Sequence, residues 1–400
     1  MGSSWVNHPS WELVSAASDA VGRDLVHLLI EADQKTLTST ENAQLATFVL
    51  SLVVLDATER LGISPMLCAG HSLGEYSALV ASGSLSFEDG VRIVNARGLA
   101  MREATGMRTG SMMAVLGLDD DSVQAACVRA EGDVWVANFN APGQVIIAGD
   151  PDHLVRAGEI AKGLGAKRVM SLPVGGAFHT PFMAPARDRL REALASVTFQ
   201  SLNPLVIANV DARTHEDPTE WPGLLSAQLC SPVRWRKTLD QFYESGIRTF
   251  VELGPGGVLT GLTKRTIAGD MQTFSVSTPE ELEALVDAIA GAEAVETREI
   301  QRAAGFFMSE RLIVSPSTGP FRAAADFVSA SPTLDANGQP PEGLAVHVGD
   351  LIGWAGEVEI RSPFGGDLQG IIVLSGERVV SGQPVAWLRV AHDNPTYKES

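Results

Sequence analysis

Cysteine is scarce in this chain. Its 400 residues hold three, Cys68, Cys127 and Cys230, scattered and odd in number. That excludes a disulfide framework and the paired spacing of a zinc site, and it fits a reducing, cytoplasmic setting. Long apolar runs are missing as well. The longest, near Leu45–Leu55, is broken by Thr47 and Ser51 and is too short to span a bilayer. The opening residues, MGSSWVNHPSWELVS, lack the basic and apolar regions of a signal peptide. Positive charge is in the minority. Thirty Lys and Arg against 48 Asp and Glu give a formal net charge of −18, which argues against a general nucleic-acid binder. Neither nucleic acid nor membrane is therefore an expected partner, while a local basic patch for an acidic protein stays open. Lysine is absent between Lys264 and Lys398.

What is present reads as a globular protein of two or three domains, with 45% apolar and 20% charged residues. Residues 10–62 read as mostly helical, with an amphipathic stretch at Glu12–Ala32 and a strongly apolar one at Ala43–Leu61. A short strand at Met66–Ala69 follows, then a glycine-serine turn and a helix. A helix near Phe87–Ala104 puts Val91, Val94, Gly98 and Met101 on one face. Next come a strand (Ser111–Leu118), a helix with an acidic first turn (Asp119–Ala130), and a strand pair (Val134–Asn140, Gln144–Ala148). A helix (Pro151–Leu164) and a strand (Lys167–Val174) complete a βαββαβ order, the ferredoxin-like pattern. It is inserted in a larger α/β unit that resumes with Pro204–Val210 and Thr249–Leu253. Residues 279–305 read as a closing helix and linker, and from about Met308 short strands between Gly, Pro, Ser and Asp predict a small β-domain.

The most informative segment is Gly70-His71-Ser72-Leu73-Gly74, where an apolar run turns directly into an alanine-rich helix. That is the context of a nucleophile elbow. Glycines flanking the serine permit the sharp turn, and the helix N-terminus favours developing negative charge at its tip. A serine nucleophile needs a base. His71 is adjacent but points elsewhere on a tight turn; His179, after a predicted strand, is the better candidate, against the reading of an ordinary loop histidine. Arg97 lies beside the buried stripe of its helix. It either snorkels to solvent or turns its fork toward a cleft, where it suits a carboxylate.

Residues 10–290 resemble the malonyl-CoA:acyl carrier protein transacylases and the related acyltransferase domains of polyketide synthases. The resemblance is carried by AGHSLGEYSALVASG, VNARGLAMREA, VANFNAPGQVIIAGD, LPVGGAFHTPFMAPA, QLCSPVRW and VELGPGGVLTGLTKR. It implies a hydrolase-like parallel-sheet core at 1–290, with the inserted ferredoxin-like subdomain at about 108–175. It makes Ser72 the acylated nucleophile, His179 the general base and acid, and Arg97 the malonate clamp. His71, Leu73, Met101 and Phe178 join Arg97 as substrate-binding residues, with the Leu73 N–H in the oxyanion hole. Gly176-Ala177-Phe178-His179 resembles the malonyl-selecting form of the histidine motif. The histidine is oriented in the family by a backbone carbonyl, which falls here at Val233-Arg234; Gln144 is assigned no chemistry. The implied reaction is ping-pong transfer from malonyl-CoA to the pantetheine thiol of acyl carrier protein, in fatty-acid or polyketide synthesis, with no cofactor or metal. Arg236, Lys237, Lys264 and Arg265 are the basic residues available to an acidic carrier.

Two departures accompany the resemblance. The family's opening apolar strand and its glutamine-bearing loop, which gives a second oxyanion donor, have no counterpart, so an N-terminally truncated chain is expected. The second departure follows a linker at 291–308. Residues 309–392 resemble a biotinyl/lipoyl carrier barrel, through RLIVSPSTGPFRAA, VHVGDLIGWAG and IRSPFGGDLQGIIVLSGERVVSGQPVAWLRV. Its expected tip, Gly353-Trp354-Ala355-Gly356-Glu357, has no lysine to modify, and His347 and Trp354 read as exposed turn residues. A docking or oligomerisation module is expected instead. The alternatives are a serine thioesterase or hydrolase on a similar core, and a catalytically weak scaffolding protein.

Overall fold

Helices lead the chain in the computed structural model, which describes residues 1–289, 307–324 and 344–392 except 364 and 374. The expected amphipathic stretch at Glu12–Ala32 is helical, in two pieces. α1 (Glu12–Val21) stops at Gly22, whose left-handed backbone ends it, and Asp24 caps α2 (Leu25–Ile30) by accepting the His27 N–H. The short α3 (Gln34–Leu37) leads into α4 (Thr40–Glu59), whose apolar side chains from Leu45 to Ala57 are all buried. α5 (Gly74–Ala81) and α6 (Phe87–Met107) follow. α6 packs on α4, and Gly98 allows the approach: a β-carbon there would lie 2.8 Å from the Glu41 Cα.

An antiparallel sheet with two helices comes next: β1 (Ser111–Leu116), α7 (Asp120–Arg129), β2 (Val134–Ala141), β3 (Gln144–Gly149), α8 (Pro151–Gly163) and β4 (Arg168–Ser171). The strand order β2-β3-β1-β4 is the ferredoxin-like arrangement. Asp119 and Asp150 cap the two helices through the N–H groups of Ser122 and Asp152. Val123, Ala126, Leu154 and Ala157 bury against Val115, Val136 and Ile147 of the sheet.

The strands expected at Met66–Ala69 and Pro204–Val210 shrink to one parallel bridge between Cys68 and Val206. Pro65 and Pro204 offer no N–H at one end, and the serine turn begins at Gly70 at the other, so the ladder closes almost as it starts. α9 (Ala184–Leu194), α10 (Trp221–Gln228) and α11 (Trp235–Glu244) precede a parallel βαβ unit of β5 (Thr249–Leu253), α12 (Val258–Thr266) and β6 (Gln272–Val276). Residues 279–289 form the last helix among the described residues, α13.

The chain divides into two units, Met1–Val286 and Asp287–Ser400. Most of the expected linker at 291–308 lies outside the described residues. The second unit holds β7 (Phe307–Val314), β8 (Gly319–Ala323), β9 (Leu344–Val346), β10 (Leu351–Ala355), β11 (Val358–Arg361), β12 (Gly366–Ile371), β13 (Arg378–Val379) and β14 (Pro384–His392). These make two four-stranded antiparallel sheets, ordered β11-β10-β8-β13 and β7-β14-β12-β9. No closed barrel forms among the described residues, which corrects the expected barrel: each sheet keeps two edge strands, and Ile313, Phe321, Ile352, Val385 and Leu388 share one core. Trp354 is likewise no exposed tip. It lies in β10, half-buried, with the Arg322 guanidinium 4.3 Å above its ring, and the turn is Gly356-Glu357. No helix of the described residues is long and apolar enough to cross a membrane.

Two alanine substitutions of opposite sign test this packing. Gly98→Ala pushes α6 off α4 and is expected to cost roughly 1–3 kcal/mol. Gly163→Ala, at the open end of α8 with no atom near its β-carbon position, is expected to gain about 0.5–1 kcal/mol. Urea titrations of both variants check the signs.

Candidate active site

Ser72 sits on a turn that its own backbone resists. Its φ is +52°, a left-handed value rare outside glycine. The turn is so tight that a β-carbon on Gly70 would lie 1.9 Å from the Gly74 carbonyl, so position 70 accepts glycine alone. Gly74 has open space around it, so of the two flanking glycines only Gly70 is required sterically. The fully buried Asn209 holds the turn from across the fold. Its Oδ1 accepts the Ser72 N–H at 2.7 Å, and its Nδ2 donates to the Gly70 carbonyl at 2.7 Å. The Leu73 N–H, at the start of α5, has no acceptor among the described residues.

His179 approaches from the segment after β4, with its Nε2 2.8 Å from Ser72 Oγ. Its Nδ1 lies 2.8 Å from the Gln228 carbonyl oxygen, which can only accept. Nδ1 therefore carries the proton and Nε2 offers its lone pair to the serine. The orienting carbonyl is thus at the end of α10, not at Val233-Arg234 as expected. The Val233 carbonyl accepts the Phe139 N–H, and that of Arg234 accepts the Thr238 N–H in α11. Burial pushes the His179 pKa down to about 3, aided by the nearby Arg97 and His71. The imidazole is neutral, with the Nε2 lone pair facing the serine hydroxyl.

Arg97 is buried rather than snorkelling. One guanidinium nitrogen, Nη2, donates to Ser72 Oγ at 3.1 Å and to Gln228 Oε1 at 3.0 Å; the other, Nη1, donates to Gln44 Oε1. Its carbon stands 5.5 Å from the Tyr76 ring centre. All the hydrogen-bond acceptors on this cation are neutral.

The other expected residues lie around this group. His71 Nε2 contacts Asn140 Oδ1 at 2.9 Å, and its ring packs on Trp235. Met101 sits behind Gln44, whose Nε2 lies 3.3 Å from its sulfur. The half-buried Phe178 ring folds back over Gly176, where a β-carbon would lie 3.1 Å from it. Sequence reasoning missed Gln44, Glu75, Asn209 and Gln228, which tie the site together. Glu75 and Gln228 stood inside quoted motifs, with nothing in their spacing to mark them. Lys264 and Arg265 form the last turn of α12, where Arg265 donates to Gln144 Oε1 at 2.6 Å, while Arg236 is paired with Asp120.

A nucleophile elbow, a neutral histidine on its hydroxyl and a buried arginine on the same oxygen make a set suited to transfer of an anionic acyl group. The sequence model of the acyl transferase domain matches residues 9–295. The chain belongs to the acyl transferase family. Among its relatives is the malonyl CoA-acyl carrier protein transacylase of Bacillus subtilis (strain 168), 40% identical over 280 residues, which cover 69% of this chain and 88% of that protein. The transacylase of Escherichia coli (strain K12) is 42% identical over 259 residues, covering 64% and 84%. Solved structures agree. The acyl carrier protein S-malonyltransferase of Vibrio cholerae superposes with a TM-score of 0.67 at 39% identity, covering 69% of this acyl transferase and 91% of that chain. A malonyl-transacylase in complex with a type II PKS acyl-carrier protein gives a TM-score of 0.69 at 36% identity, covering 73% and 94%.

Asn209→Ala strips partners from two backbone groups at the elbow. Urea unfolding is expected to show a loss of roughly 1–3 kcal/mol, with slower acylation of Ser72. The His179 ring provides a second check. Because its pKa is lowered, the neutral form persists on acidification well below the ordinary histidine value of about 6.5. Nitrogen NMR of the ring at pH 5 is expected to show the Nδ1–H tautomer; an imidazolium there contradicts the burial argument.

Proposed function

We propose that this acyl transferase moves a malonyl group from malonyl-CoA to the pantetheine thiol of acyl carrier protein through a malonyl ester on Ser72. The observation that carries the reading is the single oxygen, Ser72 Oγ, shared by His179 Nε2 and Arg97 Nη2. His179 Nε2 takes the Oγ proton as Oγ attacks the thioester carbonyl. The Leu73 N–H stabilises the oxyanion. The carbon–sulfur bond breaks, and His179 returns the proton to the departing CoA sulfur. The carrier thiol then gives its proton to His179 and attacks the ester carbonyl; the ester carbon–oxygen bond breaks, and His179 returns the proton to Ser72 Oγ. No step calls for a bound cofactor.

Arg97 supplies the selection. A malonyl carboxylate gives its buried cation a charged acceptor, whereas an acetyl group leaves it with neutral ones. The relatives' names support malonyl as the group carried, and the solved complex with a carrier protein supports the acceptor. A hydrolase reading finds less support. Such enzymes orient the histidine with a carboxylate, and the partner of Nδ1 is the Gln228 carbonyl. His71, Leu73, Met101 and Phe178 are read as the surroundings of the bound acyl chain, with fatty-acid or polyketide synthesis in the cytoplasm as the setting. The second unit is read as a docking or oligomerisation module of biotinyl/lipoyl ancestry. Its strands between Met308 and His392 contain no lysine, so they have no amine for an amide-linked carrier group.

Peptide mass spectrometry after mixing with malonyl-CoA tests the reading. A malonyl adduct on the Ser72 peptide that passes to acyl carrier protein is expected, and Ser72→Ala abolishes it. Arg97→Ala is expected to lower malonyl loading roughly 10–100-fold relative to acetyl loading. No adduct on the folded protein overturns the proposal.

A further inference from the structure

Glu75 is the only acidic side chain fully buried among the described residues, and the reaction as written does not use it. It lies on α5, three residues past Ser72. Its Oε1 accepts the Asn209 N–H at 2.7 Å, and its Oε2 accepts from Gln228 Nε2. Gln228 hydrogen-bonds to all three members of the site. Its backbone carbonyl accepts from His179 Nδ1, its Oε1 accepts from Arg97 Nη2, and its Nε2 also donates to the Ser72 carbonyl at 2.8 Å.

A glutamine amide has nearly the same shape either way round, so geometry alone does not choose its orientation. Its partners do. An ionised carboxylate only accepts and a guanidinium only donates. With the amide reversed, its oxygen faces Glu75 and the Ser72 carbonyl, and its NH₂ faces Arg97. Every contact is then donor against donor or acceptor against acceptor.

We propose that Glu75 is a positioning residue: its ionised carboxylate locks the Gln228 amide with Oε1 toward Arg97, and so keeps the guanidinium aimed at the acyl carboxylate. The proposal rests on the transacylase reading, since it concerns malonyl over acetyl selection. Arg97 on α6, Asp211 beyond Asn209, and Tyr76 on α5 are the charged or titratable groups facing Glu75. Burial outweighs the hydrogen bonds and Arg97 and pushes this carboxyl up to about 7. The carboxylate is therefore present above neutrality and is lost as pH falls through it. A protonated Glu75 can donate toward Gln228, and the amide is then held only by Arg97 and the Ser72 carbonyl, a weaker lock.

The test is single-turnover loading of Ser72 with malonyl-CoA and with acetyl-CoA across pH 5.5 to 8.5. The ratio is read because general loosening of the site lowers both alike. Glu75→Gln is expected to lower the malonyl-to-acetyl ratio about 10-fold and to flatten its pH dependence. Gln228→Met should do the same, and the double variant should be no worse than Gln228→Met alone, because Glu75 acts through that amide. If Glu75→Gln does not fold, unaltered protein and Gln228→Met carry the test. The ratio should fall below neutral pH in the first and stay level in the second. Additive losses, an unchanged ratio in folded Glu75→Gln, or the same pH dependence with and without the Gln228 amide would overturn the proposal. Unaltered protein that loads neither substrate would overturn the transacylase reading together with it.

Discussion

Ser72 is held at a backbone angle that a serine does not choose for itself, and much of the first unit acts as the restraint. The cost of such a conformation is on the order of 1–3 kcal/mol and has to be met by contacts elsewhere. Gly70 makes the turn sterically possible, and Asn209 fixes it with two hydrogen bonds. Asn209 is itself placed by the bridge between Cys68 and Val206 and by the Glu75 carboxylate. The hydroxyl is thus presented by parts of the chain more than a hundred residues apart.

The second requirement is a dry site. Burial keeps His179 neutral, and it makes Arg97 intolerant of poor partners. Burial also holds Glu75 near its ionisation point beside that arginine. Neutral amides from Gln44 and Gln228 accept from the guanidinium and orient its fork from within the protein. Orientation that is settled before binding need not be supplied by the substrate.

Local chemistry made part of this legible. The turn at Ser72 follows from five consecutive residues, and the antiparallel insertion follows from the alternation of strand and helix between Ser111 and Ser171. The acidic first turn at Asp119 marks its helix because a cap acts within three residues. Gln228 and Asn209 are different. Their value lies in contacts with Ser72 across 156 and 137 positions, and no local pattern encodes such a meeting. The strand pair at Cys68 and Val206 was over-read for a related reason: apolar character marks burial, while ladder length depends on the prolines at its end. In the second unit, alternation and turn residues identified strands, but whether sheet edges join is decided by distant pairings, and here they stay apart.

The β2 strand of the inserted sheet also belongs to the active-site unit. Its register slips twice against β3, and between the slips Asn138 bridges Val233 while Phe139 donates to the Val233 carbonyl. One residue later, Asn140 holds His71, the immediate neighbour of Ser72. The insertion is therefore not a lobe on a hinge. One rail of hydrogen bonds runs from the Pro142-Gly143 hairpin tip to the residue beside the nucleophile.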